Sequence, residues 1–142
     1  PIRVSGAVLA VGIGVDRSLI GSTTGTVAAG ATVYLGVNGA QAAEIASFFT
    51  TEQRYAVVGI YAAVTAAPGV GETNTYTLMK GGVASAMAGT ITGAASFSVR
   101  ISNTAPQILF PYETTLTVRL VTTNLGAYTP ANHRYFMLLA EY

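Results

Sequence analysis

The sequence contains no cysteine, one histidine and one lysine, and only 9% of its 142 residues are charged. Each shortage closes off a class of function. Without cysteine there is no disulfide framework, no thiolate nucleophile and no zinc–thiolate centre, so stability must come from packing and assembly. A lone histidine, His133, cannot build a transition-metal site from a single chain, although a symmetric trimer would bring three copies to an axis. It sits just before the last apolar run and is expected at the surface or in a loop. The acids Asp16, Glu44, Glu52, Glu72, Glu113 and Glu141 fall at turns or strand ends, where solvated carboxylates belong. Nothing in their spacing requires the facing pair of a glycosidase, whose carboxyls stand about 5 to 9 Å apart. The formal charge is +1. Six scattered arginines and Lys80 form no patch able to neutralise phosphates. We therefore expect no enzyme, no cofactor, no metal and no nucleic-acid partner.

The apolar segment from Ile2 to Val15 is interrupted by Arg3, Ser5 and glycines, and it is too short to span a bilayer. No signal-peptidase site follows it, so neither a membrane partner nor secretion is expected. Its Val11-Gly12-Ile13-Gly14-Val15 run has the glycines of a phosphate-binding loop. The Gly-Lys-Ser/Thr and the helix that such a loop requires are missing.

What the chain does have is apolar residue, 51% of the total. An ordinary soluble domain carries about 25% charged residues and covers itself with them. One domain of this size hides about two thirds of its unfolded surface. The deficit of charge therefore points to a surface of small residues or to one covered by partners, and obligate oligomerisation is the expectation.

Beta-branched and aromatic residues recur in short runs punctuated by Gly, Asn and Pro, with no sustained helical period. This predicts an all-β domain of about eight strands, a jelly-roll-like antiparallel sandwich or barrel. Residues 1–31 read as an N-terminal strand and arm followed by a flexible Gly/Thr-rich loop, and residues 32–142 as the sandwich. The first strand is expected over about Ile2 to Ala10. The stretch Gly21 to Gly30 is expected as loop, either an arm lying on a neighbour or an unordered lead-in. Thr32 to Val37 is a strand turned by Asn38-Gly39. Ala40 to Ser47 reads equally as a helical turn or a bulged strand. Thr73 to Met79 meets Val83 to Met87 across Lys80-Gly81-Gly82, a tight hairpin in which glycine supplies the backbone angles. In Ala95 to Ile101 the residues Phe97, Val99 and Ile101 share one face. In Thr114 to Val121 Leu116, Val118 and Leu120 do so.

Two strands are apolar on both faces. In Tyr55 to Ala66 one face carries Tyr55, Val57, Tyr61 and Ala63, and the other Ala56, Val58, Ile60, Ala62 and Val64. In Arg134 to Tyr142 Tyr135, Met137 and Leu139 oppose Phe136, Leu138 and Ala140. A sandwich strand needs one apolar face, so the second must be buried elsewhere. A helix or loop of the same chain would serve. With so few residues outside strands, a neighbouring subunit is the favoured cover. Buried apolar surface contributes about 25 cal/mol per Å², which makes these strands large contributors to assembly.

The stretch Thr73-Asn74-Thr75-Tyr76-Thr77-Leu78-Met79-Lys80-Gly81-Gly82-Val83-Ala84, followed by Gly89-Thr90-Ile91-Thr92-Gly93-Ala94-Ala95, resembles a pattern in small β-domains of tailed-bacteriophage particles. There a strand ending Tyr-Thr-Leu enters a glycine turn, usually Asn-Gly, and a Thr-rich strand ends near Gly-Xaa-Ala. Here Gly81-Gly82 replaces Asn-Gly. Ala66 to Gly69, Pro111 and Thr114 to Val121 extend the likeness, which runs from about Tyr55 to the C terminus. The resemblance implies a C1q/TNF-like jelly roll that trimerises, found in head-decoration proteins and in tail or fibre tips. The absence of heptads or collagen-like repeats favours a capsid decoration, or cement, protein on the outer surface of the virion. It would be made in the host cytoplasm, with the major capsid protein as partner. Subunit packing is then expected from Tyr55, Val57, Val58, Ile60, Tyr61, Val64, Tyr135, Phe136, Met137, Leu138 and Leu139. Shell attachment is expected from Ile2, Val4, Val8 and Leu9. The alternatives are a receptor-binding tail or fibre tip, in which Tyr112, Tyr128 and His133 would provide surface recognition, and a small viral shell subunit.

Overall fold

The computed structural model describes residues 17–36, 38–44, 49–51, 54–102, 109–111 and 114–141. Among them lie eleven strands: β1 (Arg17–Val27), β2 (Thr32–Gly36), β3 (Gly39–Gln41), β4 (Phe49–Thr50), β5 (Tyr55–Val64), β6 (Gly69–Lys80), β7 (Val83–Gly93), β8 (Ser98–Ser102), β9 (Leu109–Phe110), β10 (Thr115–Thr122) and β11 (Ala131–Glu141). They form two antiparallel sheets packed face to face. Sheet A has the order β1-β11-β5-β8, with β9 also on β5; sheet B has the order β3-β2-β10-β6-β7, with β4 also on β10. With the short strands β3, β4 and β9 set aside, the eight that remain pair as nested hairpins. β1 pairs with β11, β2 with β10, β5 with β8 and β6 with β7.

The core lies between the sheets. Leu116, Val118 and Leu120 of β10 meet Val57, Ile60 and Ala62 of β5 and Tyr135, Met137 and Leu139 of β11 in one buried cluster. The alternation seen in the sequence places these residues inward on β10 and β11. Lys80 pairs directly with Val83, and Gly81 and Gly82 have φ of 57° and 83°. Two positive φ angles are what a two-residue hairpin loop asks for, so glycine at both positions closes it without strain. On the other side of the molecule β7 leans on β8. A Cβ on Gly89 would lie 2.6 Å from Ile101 Cγ1, so the absent side chain lets the sheets close there.

Several expectations change. The stretch Gly21 to Val27, expected as loop, is the second half of strand β1, registered with β11 from Arg17 opposite Ala140 to Val27 opposite Ala131. Its Ser, Thr and Gly content hid a strand whose stability comes from its partner rather than from propensity. Ala40 to Ser47 begins as strand β3, which ends at Gln41; residues 45–48 lie outside the described residues, as does the strand expected over Ile2 to Ala10. Phe97 precedes β8 and is exposed, while Val99 and Ile101 pack toward the core as expected.

Strand β5 carries the most consequential change. Gly59 pairs with Leu138 and Val57 with Leu139, so Val58 is an extra residue, a β-bulge that shifts the side-chain parity. Val57 therefore shares the inner face with Ile60, Ala62 and Val64, whereas Val58 and Tyr61 are exposed on the outer one. Strict alternation had grouped Val57 with Tyr61 and Val58 with Ile60.

Candidate assembly surface and interior polar network

The outer faces of the two sheets differ. On sheet B, Thr117 and Met79 pair across β10 and β6 on the outer face, yet both are buried. The Thr117 hydroxyl donates to Glu44, in the turn after β3, so this chain itself covers sheet B at that point. On sheet A, Val58 is 37%, Tyr61 39% and Phe136 45% exposed. Tyr61 and Phe136 pair in register and stack with ring centroids 5.4 Å apart. They line an open depression of about 270 Å³ with Val58, Leu138, Arg100 and Ser102. No described residue lies over it. Its floor is apolar and preformed, and the Arg100 guanidinium and Ser102 hydroxyl supply a polar rim. Such a surface suits burial against a flat partner.

The residues expected to carry subunit packing thus divide. Val58, Tyr61, Phe136 and Leu138 lie on this outer face. Val57, Ile60, Val64, Tyr135, Met137 and Leu139 are buried in the chain's own core, and Tyr55 packs half-buried against it. The six buried ones pack within this chain, and Tyr55 keeps part of its surface open. Arg100 and Ser102 were not foreseen in the site; nothing marks them in sequence except their alternation with Val99 and Ile101. Ile2, Val4, Val8, Leu9 and Tyr112 lie outside the described residues.

His133 is no surface residue. It is 1% exposed, with its Nδ1 2.7 Å from the Tyr76 hydroxyl. Burial alone pushes its pKa down to about 4. Its Nε2 is buried with no partner among the described residues, as is Nδ2 of Asn74. Tyr128 is half-buried and donates to Asn74 Oδ1 at 2.7 Å, which directs its hydroxyl inward. Glu72 also departs from expectation, since it is fully buried on β6. Desolvation pushes its carboxyl up, but hydrogen bonds from the Thr123 hydroxyl and the Leu125 and Ala127 amides outweigh it. The net pKa falls below 4.5. One carboxylate so held fixes the loop from Thr123 to Ala127. Glu72, Asn74 and Tyr76 lie two residues apart on one strand face, which is the only trace of this network in the sequence. No three His, Cys, Asp or Glu side chains converge as metal ligands among the described residues.

No protein-family model matches the chain, and no curated protein matches it either, so its function is read from the molecule alone.

Proposed function

We propose that this protein is a non-enzymatic structural component of a virion, a jelly roll that trimerises and decorates the capsid shell. The fold part of the reading is supported by the nested pairing of the eight long strands. Numbered in order, these run 1-8-3-6 in sheet A and 2-7-4-5 in sheet B. That is the order produced when one long antiparallel hairpin is rolled up, and two such Greek keys make a jelly roll, an architecture common in viral particles. The assembly part is carried by one observation: the outer face of sheet A presents Tyr61 stacked on Phe136 beside Val58 and Leu138, uncovered by any described residue. Copies packed about an axis through this face bury it. The trimer number and the shell partner rest on the resemblance to phage β-domains.

The test is the oligomeric state, by light scattering with size exclusion, of the wild type and of a Tyr61→Lys/Phe136→Lys double variant at micromolar concentration. We expect a wild-type trimer and a folded monomeric variant, with unchanged far-ultraviolet circular dichroism. A monomeric wild type, or a variant that still forms the trimer, overturns the assembly reading. Imaging of particles with and without the protein then places it on the shell or at a tail tip.

A further inference from the structure

The interior network joins the two sheets through a titratable ring. Tyr76 belongs to sheet B and His133 to sheet A, so the 2.7 Å bond between them crosses the core. His133 is also tied to the sheet edge, since its backbone N–H donates to the Thr24 hydroxyl of β1 at 2.8 Å. We propose that the Tyr76–His133 bond is an acid-sensitive lock on the sandwich: the neutral ring holds sheet to sheet, and acid weakens that hold because the ring takes up its proton when the sandwich opens.

In the neutral state Nδ1 accepts from the Tyr76 hydroxyl, which leaves the ring hydrogen on Nε2. A solvent proton binds the Nδ1 lone pair and turns that atom into a donor. The Tyr76 O–H···Nδ1 bond can then persist only in the reverse sense, with Nδ1–H donating to the Tyr76 oxygen. The hydroxyl hydrogen then needs a new acceptor. Among the described residues no counter-ion is bonded to the added charge. In this half of β6 the ionisable inner-face groups are Glu72 and Tyr76; the loop before β11 brings Tyr128, and β11 itself Tyr135. Burial raises the pKa of all three tyrosines, which stay neutral, and the Glu72 carboxylate is engaged by Thr123 and Leu125. β1 offers the Thr24 hydroxyl, and β5 places Val64 opposite His133. A buried imidazolium without a partner is costly, so the proton is taken up mainly by the unfolded chain.

The sign follows. The folded pKa, about 4, lies below the ordinary 6.5. The penalty is absent above 6.5, appears as the pH falls through that value, and is complete below the folded pKa. At pH 5 the folding equilibrium constant should be roughly thirty-fold below its value at pH 7.5. The chain has one histidine, so a single imidazole resonance reports the ring. We expect that resonance, in the folded protein, to hold its neutral position from pH 7.5 to 5 while the urea midpoint falls. In His133→Gln the midpoint should stay level over the same range. Tyr76→Phe removes the bond that favours the neutral ring, so the imidazole resonance of the folded variant should begin to titrate at a higher pH than that of the wild type, which serves if His133→Gln does not fold. A ring that titrates near 6.5 in the intact fold overturns the lock. So does an equal acid loss in His133→Gln, or a Tyr76→Phe ring that titrates at the wild-type pH.

Discussion

Glu72 shows how much one buried side chain can organise. Its two oxygens receive the Thr123 hydroxyl at 2.8 Å and the Leu125 amide at 2.9 and 3.1 Å, which holds a loop whose Leu125 side chain is exposed. Because the folded carboxyl titrates below its ordinary 4.5, it contributes stability above that pH and loses it as the pH drops through the folded value. Glu72→Gln should therefore lower the urea midpoint at pH 7, and its deficit should narrow as the pH falls below 4.5. This window lies under the one assigned to His133, so the two groups separate in a pH series. Neither burial was legible in the sequence. The partners of Glu72 lie 51 and 53 residues away, and Tyr76 lies 57 from His133. A polar residue is kept inside by bonds that only the finished fold supplies.

At the scale of elements, the β6–β7 hairpin and the β7–β8 closure depend on glycine for different reasons. Gly81 and Gly82 are needed for backbone angle, and Gly89 for space. Gly81→Asn should leave the thermal midpoint unchanged or raise it, because Asn also accepts the left-handed conformation. Gly82→Ala should cost about 1 kcal/mol. Gly89→Ala must displace Ile101 and Val99, and should cost about 1–3 kcal/mol by urea titration. The hairpin was readable because its signal is local, as were the inward faces of β10 and β11, where alternation is unbroken. β5 was readable as a strand, but its faces were not. Gly59 was the only hint of the bulge, and one extra residue moves every later side chain to the opposite face. β1 was missed because its Ser, Thr and Gly residues carry no strand pattern of their own.

For the whole molecule, low charge and an apolar face that no described residue covers make one prediction together. An interface built on Val58, Tyr61, Phe136 and Leu138 draws little on long-range electrostatics. Self-association measured by sedimentation should change little between about 0.05 and 0.5 M salt, a range over which screening falls from long to short reach. It should strengthen on warming from the cold toward room temperature, as burial of apolar surface does. A steep salt dependence would point instead to Arg100 and the polar rim. The two-faced apolar strands suggested such a surface in the sequence. The structure puts both strands in sheet A and leaves Val58, Tyr61 and Phe136 exposed on its outer face.

The pairing of β1 with β11 also fixes how this molecule could bear load. Arg17 lies opposite Ala140 and Val27 opposite Ala131 in an antiparallel ladder. Tension drawn between Arg17 and Ala140 peels the two strands apart one hydrogen bond at a time, the weakest way to pull a ladder whose bonds run across the strands. Tension that enters at Arg17 and leaves at Ala131 slides the strands past one another and loads all those bonds together. A tie that strengthens a shell must therefore be anchored along that second line.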